Sequence, residues 1–300
     1  MTQRPKLSIS ILSLAVSLLT GCSTKPAQPV MTPGLTGNIS GGVHGGQQPI
    51  SNAVIQLYTV GTSGDGSSAT PLLTQIVKTD QNGNFSLSPG GVPLYSCTSA
   101  TMVYVTAIGG DPSPGISNPN IAQMTALGPC TALTTGTFIW VNEVTTVAAV
   151  SALAPYMTSF SAIGSATGDA AALSSAFTLA TQLANTSTGT SPGPNVPAGM
   201  IAPSTQIYTL ADILANCVNS AGGTAGDGSG CGTLFSLTTP SSTAPTDTVA
   251  ALLNLANNPT LNTQQLFNTV SGIAPFQPTL TAGSKSASLV ISGDAAPDFR

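Results

Sequence analysis

A chain of 300 residues with six Lys and Arg against ten Asp and Glu has too few cations to hold nucleic acid, whose phosphates are gripped by clustered basic side chains. Nothing basic occurs between Lys78 and Lys285, so nucleic acid is excluded as a partner. Charged residues are 5% of the chain against about 25% in ordinary soluble domains; solubility must rest on Ser, Thr, Asn, Gln and Gly, a surface suited to an extracytoplasmic wall or matrix.

Arg4 and Lys6 precede an apolar run from Leu7 to Leu19, and Leu19-Thr20-Gly21-Cys22 follows, which is the order of an export signal. The run is too short for a membrane span, which needs roughly 20 apolar residues. The last four positions resemble the lipobox of bacterial lipoproteins. That resemblance implies a signal peptide at 1–21, a thioether lipid on Cys22 as the mature N-terminus, and a tether over 22–34 that joins the protein to a membrane. Ser23 is not the Asp linked to inner-membrane retention, so the resemblance points to the outer membrane, on its periplasmic or surface face. Without residues 1–21 the chain carries four basic against ten acidic residues.

Export places the remaining cysteines in an oxidising compartment, and setting Cys22 aside leaves four, which can pair off completely. Sequence order groups Cys97 with Cys130 and Cys217 with Cys231; the other two connectivities would tie the two halves of the chain together.

Residues 35–141 read as strands. Ala53, Ile55 and Leu57 alternate with Val54, Gln56 and Tyr58; Val103, Val105 and Ala107 alternate with Tyr104 and Thr106; Phe138 and Trp140 share a face. Without crossover helices between them, these strands predict antiparallel pairing in a β-sandwich. Asn118-Pro119 and Gly128 suggest a short capped helix between two of them. Leu35-Thr36-Gly37-Asn38-Ile39 with Pro49 to Leu57, and Thr79-Asp80-Gln81-Asn82-Gly83-Asn84-Phe85, resemble the carboxypeptidase regulatory-like domain, a transthyretin-type or Cna-B-like sandwich. The resemblance implies a supporting role without chemistry of its own.

The period turns helical from Asn142. Val144, Val147, Val150 and Leu153 form one stripe after the cap Asn142; Leu173, Phe177, Ala180 and Ala184 form another after Asp169. A third helix carries Ile207, Leu210, Ala211, Leu214, Cys217 and Val218 on one face, with Thr209 and Asp212 at capping-box spacing. Two more are expected over Asp247 to Ala256 and from Asn262 to Val270, with Gly272 as a stop, and Thr186 to Pro203 reads as a linker. The expected fold class is therefore α+β, an antiparallel β-sandwich at 35–141 followed by a small α-helical domain at 142–280 and a tail at 281–300. Asn142 to Ala149, Asn216 to Thr224 and Pro275-Phe276-Gln277-Pro278 also resemble the N-terminal region of NHL-repeat lipoproteins of soil bacteria. After that region one more strand is expected, Ala287 to Ser292, and no propeller.

Motifs for chemistry are few. Gly189-Thr190-Ser191-Pro192-Gly193 fits the nucleophile elbow, but the oxyanion hole there uses the N–H after the serine, and Pro192 has none. His44, in Gly41-Gly42-Val43-His44-Gly45-Gly46, reads as a solvated loop residue and precedes the serine. One histidine with disulfide-bonded cysteines cannot supply a zinc site. Glu143, the sole glutamate, reads as a complement to a helix N-terminus. Asp65, Asp227 and the Asp80–Asn82–Asn84 set each offer one carboxylate, short of what calcium needs, and read as turns. Trp140, Phe138, Tyr104 and Tyr58 read as core aromatics, with a sugar-binding platform as the alternative. No cofactor, metal or enzymatic activity is expected. The chain reads as a membrane-anchored structural or interaction module whose partner is an envelope protein or a polysaccharide.

Overall fold

A computed structural model describes residues 39–97, 100–134, 136–270 and 274–281. The expected signal peptide at 1–21, Cys22, the expected tether at 22–34, Gly272 and the strand expected at 287–292 lie outside the described residues. Those described all fall in one compact unit.

Eleven strands are described: β1 (Ser40–Gly45), β2 (Gln48–Pro49), β3 (Val54–Thr59), β4 (Thr70–Pro71), β5 (Val77–Lys78), β6 (Asn84–Ser86), β7 (Met102–Ile108), β8 (Ala122–Pro129), β9 (Phe138–Val141), and the small hairpin β10 (Met157–Ser159) with β11 (Ala162–Ile163). The helices are α1 (Glu143–Leu153), α2 (Ala170–Leu183), α3 (Ser204–Val218), α4 (Gly230–Leu237), α5 (Thr248–Asn257) and α6 (Thr263–Asn268). The class is α+β.

One sheet centres on β1, with β2 and β6 antiparallel to it and β9 parallel. The other runs β4-β3-β7-β8 with β5 also on β3, all antiparallel. Ile39, just before β1, with Val43, Phe85 and Ile139 of the first sheet shares an apolar cluster with Ile55, Leu57, Val103 and Val105 of the second. The opposite face of the second sheet, through Tyr104, Met124 and Ala126, joins a larger cluster with the helices. Alternation of side chains along each strand makes both contacts possible from one layer.

Every residue of α1 is buried, so its expected apolar stripe is in fact an apolar cylinder, packed among α2, α3, α5 and β8. This departs from the two-domain reading: beyond position 142 the chain is helical apart from the small β10–β11 hairpin, but α1 and β8 share one core. Strand β8 ends the second sheet, and its free edge is closed by threonines. Thr248 Oγ1 accepts from Ala122 N–H (3.0 Å) and donates to Ala122 C=O, while Thr146 Oγ1 accepts from Met124 N–H (3.0 Å). Helix hydroxyls thus pair edge groups that would otherwise be left buried without partners or open to another strand.

Several expectations change. The parallel β1–β9 pair breaks the antiparallel rule; the two strands are far apart in sequence, so no tight turn dictates their sense. Gly41 to Gly45 is strand, not loop, because glycine leaves room for rings from neighbouring strands: a Cβ on Gly41 would collide with Phe85, and one on Gly42 would stand 3.0 Å from the Trp140 ring. The helix expected after Asn118-Pro119 is strand β8; Asn118 instead caps α3, its Nδ2 donating to Cys217 C=O at 2.7 Å. Thr209 and Asp212 lie inside α3, which starts at Ser204, so they cap nothing. The glycine-rich approach to Cys231 starts a helix, α4, where Ser229 Oγ accepts from Gly232 N–H. Cys97 is bonded to Cys130, and Cys217 to Cys231, which ties the end of α3 to the start of α4. No helix among the described residues is long and apolar enough to cross a membrane.

Candidate functional site

The parallel register sets Ser40 against Phe138 and Gly42 against Trp140, which puts Gly42, His44, Phe138 and Trp140 on the outer face of the first sheet. With no side chain at Gly42, the Trp140 ring lies down over the strand. The His44 ring then meets it edge-on at 4.5 Å, and Phe138 does so at 5.6 Å, arrangements favoured by the charge distribution of aromatic rings. Phe138 remains 38% exposed.

This row runs into a depression of about 370 Å³, within the size range of small-molecule sites. Its aromatic walls are His44, Trp140, Tyr208 from α3, and Phe276, whose ring stacks on Tyr208 at 6.3 Å. Its rim is polar and exposed, with Gln47 in the β1–β2 turn, Thr188 and Thr190 in the turn after α2, and Gln277. Asn142 holds the turn that carries the threonines: Nδ2 donates to Gly189 C=O (2.9 Å), while Oδ1 accepts from Thr145 N–H as the α1 cap.

Beneath the depression two buried carboxyl groups hold its lips. Both Glu143 oxygens accept from Gly46 N–H, at 2.9 and 3.1 Å. Asp212 Oδ1 accepts from Phe276 N–H at 3.0 Å, and Thr209 Oγ1 from Leu280 N–H at 2.9 Å, so the residues expected to cap a helix fasten the segment 274–281 instead. The two lips touch: a Cβ on Gly46 would stand 3.1 Å from Pro275. Burial pushes the Glu143 pKa up to about 8, against the pull of Gly46 N–H and its own N–H, with the nearby Asp212 charge adding to the rise. Burial likewise raises Asp212 to about 6, against the pull of Phe276 N–H. Glu143 lies in the first turn of α1, as expected for a residue beside a helix N-terminus, and its burial favours the protonated form at neutral pH. Burial lowers the His44 pKa from its ordinary value, against the pull of a backbone hydrogen bond with Gln47, which favours the neutral imidazole.

The sequence candidates divide. His44, Trp140, Asn142 and Gly189 meet at the depression, and Glu143 supports it. Ser191 is buried and already engaged: its Oγ donates to Leu183 C=O (2.7 Å), and its N–H donates to the Tyr208 hydroxyl (3.0 Å). Tyr104 is fully buried and stacks on Tyr58 at 5.3 Å among the helices, so the four strand aromatics form no single platform. Asp227 accepts from Thr224 N–H and from Ser229 N–H and Oγ, and Asp80 Oδ1 accepts from Asn82 and Asn84 N–H; both are turns. Asp65 is exposed, and among the described residues no three His, Cys, Asp or Glu side chains group as a metal site. The disulfides lie away from the depression's walls.

Sequence reasoning missed Tyr208, Asp212, Gln47 and Phe276. One signal was present for Asp212: it is a lone carboxylate on a helix whose residues 207–215 are otherwise uncharged. Pro275-Phe276-Gln277-Pro278 stood out only as a resemblance. No protein-family model and no curated protein matches the chain.

Proposed function

We propose that this protein is a lipid-anchored envelope lipoprotein that acts as a non-catalytic interaction module, with the depression bounded by His44, Trp140, Tyr208 and Phe276 as its contact site. In this reading residues 1–21 are removed on export, Cys22 carries the lipid, and the two sheets form a β-sandwich of transthyretin or Cna-B type. The helices brace the second sheet and shape one wall of the site.

The observation that carries the reading is the state of the reactive groups around the depression. The Ser191 hydroxyl donates to a backbone carbonyl, the Glu143 carboxyl is wholly buried against Gly46 N–H, and His44 packs on Trp140. What faces outward is aromatic surface, amides and hydroxyls, which recognise a partner without transforming it. The anchor rests on the signal order and on the position of Cys22.

Expression with Cys22→Ala tests the anchor, since the thioether cannot form without that sulfur. Acyl labelling should vanish and the protein should move to the soluble envelope fraction, because two or more acyl chains are what make anchoring stable. Unchanged labelling in the variant removes the assignment.

A further inference from the structure

We infer that the depression beside Trp140 binds an uncharged stretch of a glycan chain, a ligand class that deepens the interaction-module reading and rests on it. No Asp, Glu, Lys or Arg lines the depression, and partial burial of His44 favours its neutral form. The one basic residue among those described, Lys78, lies on β5 in the other sheet, so an anionic ligand would meet no counter-charge. The acidic groups Glu143 and Asp212 are buried behind the lips, both Glu143 oxygens and Asp212 Oδ1 turned to backbone N–H groups and Asp212 Oδ2 enclosed without a partner, so a cation meets no exposed carboxylate either.

Shape and chemistry narrow the class further. Sugar rings present an apolar C–H face and an edge of hydroxyl groups. Trp140, His44 and Phe276 supply aromatic surface for the first, and Phe138 extends that surface past the depression along the sheet. Gln47, Gln277, Thr188 and Thr190 are exposed at the rim and can both donate and accept, which matches hydroxyls of either sense. The rim groups bond one another or nearby backbone, Thr188 Oγ1 to Thr190 Oγ1 at 2.7 Å and the Gln47 and Gln277 amides to Pro275 and Ala274 C=O, and keep further donor and acceptor capacity that an apolar small molecule would not use; a wholly polar one would leave the rings uncovered.

Trp140 is the chain's one tryptophan, so its emission reports on the site without a label. The full lipidated protein, held in a detergent without a sugar headgroup, is titrated with neutral glucan, mannan and N-acetylglucosamine oligomers. Polygalacturonate and glucosamine oligomers serve as the anionic and cationic comparisons. The expected result is a saturable shift in Trp140 emission with a neutral oligomer and none with the charged ones. Gln47→Ala combined with Gln277→Ala changes only exposed rim residues, so the fold should be kept; affinity measured calorimetrically should fall about tenfold or more, equivalent to about 1.4 kcal/mol. Trp140→Phe should weaken binding too while keeping a ring over Gly42. No response to any neutral oligomer, a response confined to the charged ones, or full affinity in the rim variant overturns the inference. Acyl labelling at Cys22 stands or falls separately.

Discussion

Replacing Glu143 with Gln should change how the protein's stability depends on pH, because the folded chain holds that proton more tightly than the unfolded chain does. Unfolded, the carboxyl ionises near its ordinary 4.5; folded, near 8. Between those values the folded state binds the extra proton, so stability must fall as pH rises through the window. At 1.36 kcal/mol per pH unit, the loss is about 3 kcal/mol at pH 7 and levels off near 5 kcal/mol above pH 8, to order of magnitude. Glu143→Gln keeps an oxygen to accept from Gly46 N–H but has no proton to lose, so this part of the loss disappears. Asp212, raised to about 6, gives both proteins a similar fall at lower pH. Urea unfolding midpoints near pH 5 should therefore be close, with the variant ahead by several kcal/mol near pH 9. A gap between the two proteins that is the same at both pH values would refute the placement of a protonated carboxyl under the Gly46 lip.

Three further outcomes follow from the packing. Changing Cys217 and Cys231 together to Ser opens a loop with a sequence separation of 14 and should cost roughly 3 kcal/mol in urea unfolding, through the freer unfolded chain. Thr248→Val leaves Ala122 N–H and C=O at the β8 edge without their partner; a loss of about 1–3 kcal/mol in the same assay is expected, whereas Thr239→Val, at the end of α4, should cost less. Ser191, with its hydroxyl bonded to Leu183 C=O, should not react with a fluorophosphonate probe, and stoichiometric labelling detected by mass spectrometry would contradict the non-catalytic reading.

Local rules served two helix starts well because their signals are local, whereas Asp169, read as a cap, makes no side-chain capping bond at the start of α2. The Asn142 cap, with Thr145 completing the box, and the Asp247 cap, which accepts from Ala250 N–H, sit where the side-chain chemistry places them. The period of two along β3 and β7 likewise marked Ile55, Leu57, Val103 and Val105 as core. What the sequence could not convey was contact between distant segments. Gly41 and Gly42 carry no strand signal of their own; they are strand because Phe85 and Trp140 cover them, from over 40 and over 90 residues away. Asp212 has the spacing of a cap and the work of a clasp, because its partner Phe276 is 64 residues on. The site itself is assembled from the β1–β2 turn, β9, the turn after α2, α3 and the segment 274–281. No window of sequence contains more than a part of it.

Radical footprinting of the protein in intact cells, set against the purified chain, tests most directly the claim that the Trp140 face is where this protein meets its partner. Modification of Trp140, His44 and Phe138 should be lower on the cells than in solution, while Ile76 and Val92, which are exposed away from the depression, should be modified equally in both. Equal modification of Trp140, His44 and Phe138 in the two samples would contradict the account.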